Sequence, residues 1–153
     1  MSKSETAREF FMQGANCAQA VFGAFAKECG LTVEQALVIS SGFGGGVGRM
    51  REVCGAVSGM VLVLDMLYGS GDLNDKGAKD AQYARVQELA NAFKAECGSI
   101  VCRELLGLDK KAPTPSESEA RTPEYYKKRP CAEMVALAAE LLEKYIEKRK
   151  AEI

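Results

Sequence analysis

The stretch "GFGGGVGRMREVCGAVSGMVLVLDMLYG", residues 42–69, joins a glycine-rich loop to the most apolar segment of the chain. After Glu52 its only charge is Asp65, and Gly69 closes it. A segment of this length that is apolar nearly all round, with no period-two alternation, reads as a helix buried among other helices. A central helix is therefore expected over about Met50–Tyr68, with the glycine loop before it. Between Gly42 and Gly59, seven glycines and two arginines surround Cys54, which opens that helix.

The flanking segments repeat the helical period. From Ser4 to about Gly14, Ala7, Phe10 and Phe11 form a stripe and Glu5 favours the start. Asn16 reads as an N-cap, after which Cys17, Ala20, Val21, Ala24 and Phe25 give one inward face of a helix ending at "ECG", 28–30. Thr32 and Gln35 form a capping-box pattern opening "VEQALVISS", 33–41. Asn74 or Asp75 caps a long helix with the stripe Val86, Leu89, Ala90, Phe93 and Cys97, ended by Gly98, and Ser99 caps the short "IVCRELL", 100–106. All four prolines fall in residues 107–130, read as a Pro-rich loop. Pro130 then starts a last helix lined by Cys131, Met134, Val135, Ala138, Leu141, Leu142 and Tyr145. The pattern predicts an all-α fold: a single-domain bundle of six or seven helices over residues 1–153.

Composition narrows the function. A chain of 153 residues that is 47% hydrophobic and 27% charged has material for one well-buried core. Its net charge of −1 provides no field for a nucleic acid or an anionic membrane, so neither partner is expected. The N-terminus lacks an apolar signal core and the apolar run Val53–Leu64 is too short to span a bilayer, so a cytoplasmic location is expected. Histidine is absent, which excludes Ser-His-Asp and Cys-His catalysis and any imidazole ligand.

Six cysteines remain, and their positions sort them. Cys17, Cys54, Cys102 and Cys131 each fall near a helix start, whereas Cys29 and Cys97 precede helix-ending glycines. A helix N-terminus carries about +0.5 charge and free N–H donors that favour a thiolate. The four are therefore expected to have lower thiol pKa values than Cys29 and Cys97. Cysteine is also a small hydrophobe suited to helix interfaces, which for any one position is explanation enough; repetition at four helix starts favours chemistry.

The glycine stretch fits neither nucleotide motif. In the G-x-G-x-x-G frame Val47 or Arg49 takes the last position, and Gly48 is followed by Arg49 and Met50 rather than Lys and Ser or Thr. An anion nest formed by Gly44, Gly45, Gly46 and Arg49 stays open beside a plain inter-helix connection. The small residues Gly55, Ala56, Ser58 and Gly59 leave space beside Cys54 for another backbone, thiol or cofactor.

Taken together, "NCAQAV" at 16–21, "GFGGGVGR" at 42–49, "CGAVSG" at 54–59, "CRELLG" at 102–107 and "PCAEMV" at 130–135 resemble the C_GCAxxG_C_C family of redox-active proteins. The resemblance covers most of the chain and carries the family's four cysteines onto Cys17, Cys54, Cys102 and Cys131, with Gly55, Ala56 and Gly59 completing the CGAxxG motif. It implies electron or thiol chemistry. Related domains accompany haem in split-Soret cytochromes, but this chain has no C-x-x-C-H, so covalent haem is not expected.

Three uses of the four cysteines follow: a dithiol–disulfide couple exchanging with a redox partner protein or a small thiol or disulfide; ligands of an iron–sulfur cluster or zinc; or core residues of a helical interaction module, with homo-oligomer formation open in each. Cys54 is expected to be the hub, within bonding reach of Cys17, Cys102 or Cys131. The Pro-rich segment 112–130 is expected to cover the cysteine site and open for a partner.

Overall fold

The computed structural model describes residues 1–152; Ile153 lies outside them. Eight helices stand among the described residues: α1 Lys3–Met12, α2 Cys17–Ala24, α3 Val33–Ile39, α4 Gly55–Tyr68, α5 Lys76–Cys97, α6 Cys102–Leu105, α7 Pro123–Lys128 and α8 Cys131–Ala151. The all-α expectation holds. The count exceeds it by α7, which starts inside the Pro-rich segment because Thr122 caps it and Pro123 occupies its first turn.

Local chemistry fixes most of the helix starts. Ser2 with Glu5, Asn16 with Gln19 and Thr32 with Gln35 form reciprocal capping boxes on α1, α2 and α3. Asp75 rather than Asn74 caps α5, and Gly98, in the left-handed region, ends it. Three boundaries differ from expectation. α2 stops at Ala24, because residues 25–30 tighten into successive turns, with the Ala26 amide bonding to Gly23 and the Gly30 amide to Lys27. α4 begins at Gly55 rather than near Met50, because Gly45, Gly46, Val47, Gly48, Arg49 and Arg51 all have φ between 57° and 75° and wind left-handedly. α6 starts at Cys102, with Ser99 accepting from the Val101 amide and donating to Glu104 instead of capping the helix itself.

The helices bury one core. α2 packs against α1, α3, α4 and α8; α4 packs against α2, α5 and α8; and α8 also reaches α1 and α5. The expected central role of α4 is thus shared with α2, six of whose eight residues are buried. Phe11, Phe22, Phe25, Phe93, Met60, Leu64 and Leu142 fill the interior. α4 crosses α2 on Gly55 and Gly59: a Cβ on Gly59 would lie 2.8 Å from Val21 Cβ, and one on Gly55 would lie 3.0 Å from Cys17 Cβ and the Ala18 amide nitrogen. The glycines of the CGAxxG motif are the contact that brings the start of α4 onto the start of α2. No helix is long and apolar enough to cross a membrane among the described residues.

Candidate functional site

The four cysteines at helix starts meet at one end of the bundle. Cys17, Cys102 and Cys131 are the first residues of α2, α6 and α8, and Cys54 is the N-cap of α4. All four line one cavity of about 410 Å³. Cys29 and Cys97 lie outside it.

Two contacts place Cys102 beside Cys54. The Cys54 amide donates to the Ile100 carbonyl at 2.7 Å and the Cys102 amide to the Glu52 carbonyl at 2.6 Å, around an antiparallel bridge between Val53 and Val101. Sequence periodicity had no means of marking this, since a single bridge leaves no alternation. The glycine loop closes the same end. A Cβ on Gly46 would meet Cys102 Cβ at 2.7 Å, and one on Gly44 would meet Asn16 Cβ at 2.4 Å, so both glycines permit close approach. Asn16 caps α2 and also donates to the Ser41 carbonyl, tying the loop to the start of that helix.

The thiols differ sharply in acidity. Cys131 is lowered to about 7: a hydrogen bond from the Cys17 thiol stabilises its thiolate, burial opposes this, and Arg129, Arg51 and Arg121 add favourable charge. Cys17 is raised well above its ordinary value by the same hydrogen bond, by burial and by the neighbouring thiols. Burial pushes Cys54 up to about 12, although the first-turn amides of Ala56 and Val57 pull the other way. Burial likewise raises Cys29 to about 11 and raises Cys97. The expectation that helix-start cysteines are the acidic ones thus fails for Cys17 and Cys54. A half-charge at a helix end is outweighed by removing a thiolate from water, and only Cys131 has both a thiol donor and three guanidinium groups. Cys17 and Cys131 influence each other's acidity most strongly, while Cys54, the expected hub, raises Cys17 through charge and is itself raised by the charge of Cys102 and Cys131.

These differences give the first prediction. Cys131 should be alkylated by a small reagent with a midpoint near pH 7, while Cys54 should resist until strongly alkaline pH. Rates resolved per cysteine by mass spectrometry test this, and equal rates for the two would refute it.

Among the described residues no three cysteine or carboxylate side chains stand close enough to hold one ion.

The Pro-rich segment roofs the cavity, as expected of it. Ser116, Ser118, Glu119, Arg121 and Tyr125 line the cavity from this side. Arg49 donates to the Pro115 and Glu117 carbonyls and pairs with Glu119, which also pairs with Lys128 and Arg129. Arg121 donates to the Phe11 and Ala15 carbonyls at 2.9 Å, and its guanidinium lies 4.6 Å from the Phe11 ring centroid and 4.8 Å from that of Tyr125. Sequence reading passed over Arg121, Arg129 and Glu119; a cluster of arginines in a His-free chain rich in cysteine was the available signal.

Burial raises the Glu119 carboxyl, but the hydrogen bond and charge of Arg129, with Lys128, outweigh it and leave it lowered. Because the folded-state value is depressed, this anchor is present above the ordinary carboxylate range and is lost as pH falls through the lowered value. Glu119→Gln should therefore speed proteolysis within residues 112–121 and alkylation of Cys131 at neutral pH. Unchanged rates of both would show that Glu119 does not hold the roof.

A family model described as "Putative redox-active protein (C_GCAxxG_C_C)" matches residues 15–145, a span that includes all four cavity cysteines. No curated protein and no solved structure matches the chain. With the family model extending over most of the sequence and its four cysteines at one cavity, the chain belongs to the C_GCAxxG_C_C family.

Proposed function

We propose that this protein is a dithiol redox carrier in which Cys131 is the attacking thiolate and Cys17 the resolving thiol. The observation that carries the reading is that Cys17 and Cys131 begin two helices packed on each other at one cavity, with Cys131 lowered to about 7 by its neighbours and Cys17 raised. A thiolate attacks a disulfide at a rate set by its ionised fraction and nucleophilicity, and a pKa close to ambient pH serves both.

Electrons and atoms balance over two exchanges. The Cys131 thiolate attacks one sulfur of a partner disulfide; an S–S bond forms to Cys131 and the partner's own S–S bond breaks, releasing one thiolate. Cys17, after losing its proton to water, attacks the Cys131 sulfur, forms the Cys17–Cys131 disulfide and releases the second thiolate. The protein dithiol loses two electrons and the partner disulfide gains them. Cys54, near 12, stays a neutral thiol throughout and packs the cavity wall. The partner class is a protein or small-molecule disulfide.

Equilibration in dithiothreitol redox buffers, followed by acid quenching and disulfide mapping, tests the reading. The expected product is a reversible Cys17–Cys131 disulfide. Absence of any disulfide across the titration, or pairing confined to other cysteines, would overturn it.

A further inference from the structure

The cavity wall carries more positive charge than its own residues neutralise. Arg49, Arg51, Arg121 and Arg129 line it, and Glu119 is the single carboxylate on it. Arg49 and Arg129 are taken up by Glu119. Arg121 is held by two carbonyls, which leave its charge in place. Arg51 has no carboxylate partner among the described residues; its guanidinium donates to Cys102 Sγ at 3.6 Å, and its charge acts on Cys131.

The glycine loop adds donors on the same wall. Gly44 and Gly46 are buried and Gly45 partly so, yet the N–H groups of all three donate to no acceptor among the described residues. Buried amides are ordinarily paired, so those of Gly44 and Gly46, with that of the partly buried Gly45, beside a guanidinium that has no carboxylate partner form a surface suited to an oxyanion. The cavity volume of about 410 Å³ suits a small molecule rather than a protein loop.

Resting on the dithiol reading above, we infer that the partner disulfide is a small one bearing carboxylate groups, held by Arg51 and the amides of Gly44, Gly45 and Gly46 while its sulfur meets Cys131. The exchange is the balanced one already given, with the carboxylated disulfide as oxidant and two carboxylated thiols as products. Loop and thiols then act as one site: the glycines bind, Arg51 both binds and favours the Cys131 thiolate, and Cys17 resolves.

Three small alkyl disulfides that differ in charge test this: dithiodipropionate, hydroxyethyl disulfide and cystamine. Each rate of oxidation of the reduced protein is divided by that reagent's rate with free mercaptoethanol, which removes intrinsic reactivity. The dianion is expected to exceed the dication by at least about tenfold at low salt, the ratio falling toward one at high salt. Arg51→Gln should collapse that ratio, and Arg85→Gln, outside the cavity, should preserve it. Adipate, which resembles the dianion but cannot exchange, should saturably shift the amide resonances of Gly44, Gly45 and Gly46. If all three disulfides react alike, or adipate leaves those amides unmoved, the inference is overturned while the dithiol reading stands. If adipate binds there and no disulfide oxidises the pair, the anion site stands and the dithiol reading fails.

Discussion

Cys131→Ser is expected to slow oxidation of the protein by a small disulfide about a hundredfold or more at pH 7, the largest effect of any cysteine replacement. With a value near 7, about half of Cys131 is ionised at neutral pH, against a few per cent for an ordinary thiol. Two of the other cavity thiols are far less acidic: Cys54 is held near 12 and Cys17 is raised well above its ordinary value. The companion variants separate attack from resolution. Cys17→Ser keeps a hydroxyl able to donate to the Cys131 thiolate, so the first exchange should persist and the reaction should stop at a mixed disulfide, visible as a stable mass increment. Cys17→Ala removes the donor as well, so the alkylation midpoint of Cys131 should also rise. Oxidation of Cys131→Ser at the rate of the unmodified protein would eliminate Cys131 as the nucleophile.

Gly59→Ala should destabilise the protein by about 1–3 kcal/mol, because the added methyl must overpack a helix crossing that cannot open without moving both helices. Its Cβ would sit 2.8 Å from Val21 Cβ and 3.0 Å from the Ala18 carbonyl oxygen. Neither neighbour is the far end of a flexible side chain, and α2 is hemmed in by α1, α3 and α8 on its other sides. The melting temperature should fall by roughly 3–10 °C for a domain of this size. Since this crossing also seats the start of α4 on the start of α2, the acidity of Cys131 should weaken in the variant. Gly42→Ala is the matched control: nothing lies within 4 Å of a Cβ there, so its effect should stay within about 0.5 kcal/mol. Equal melting temperatures for the two variants would remove Gly59 from its packing role.

The origin of these effects divides between the chain and its fold. Helix starts were legible because they are local: Asn16 and Thr32 each satisfy an amide three residues on, and the partner glutamine lies in the same few letters. So were the end of α5 at Gly98 and the placement of Cys17, Cys102 and Cys131 at helix starts. The resemblance that singled out the four cysteines was likewise a matter of short quoted motifs. The left-handed winding of 45–51 was less visible, since Val47, Arg49 and Arg51 adopt positive φ that their side chains disfavour and that their neighbours impose.

By itself, then, the sequence determined an all-α chain, its caps and the set of four helix-start thiols, because capping and amphipathic periodicity act over three or four residues. Tertiary structure alone decided which thiol is acidic. Cys131 owes its lowered value to Cys17, 114 positions away in the numbering of the chain, and to Arg51 on the glycine loop as well as to nearby Arg121 and Arg129. Cys54 carries the same helix-start signature and ends near 12, because burial there meets no guanidinium strong enough to offset it. A thiolate's stability is a sum over desolvation and every charge around it, and only the folded packing of distant segments sets that sum.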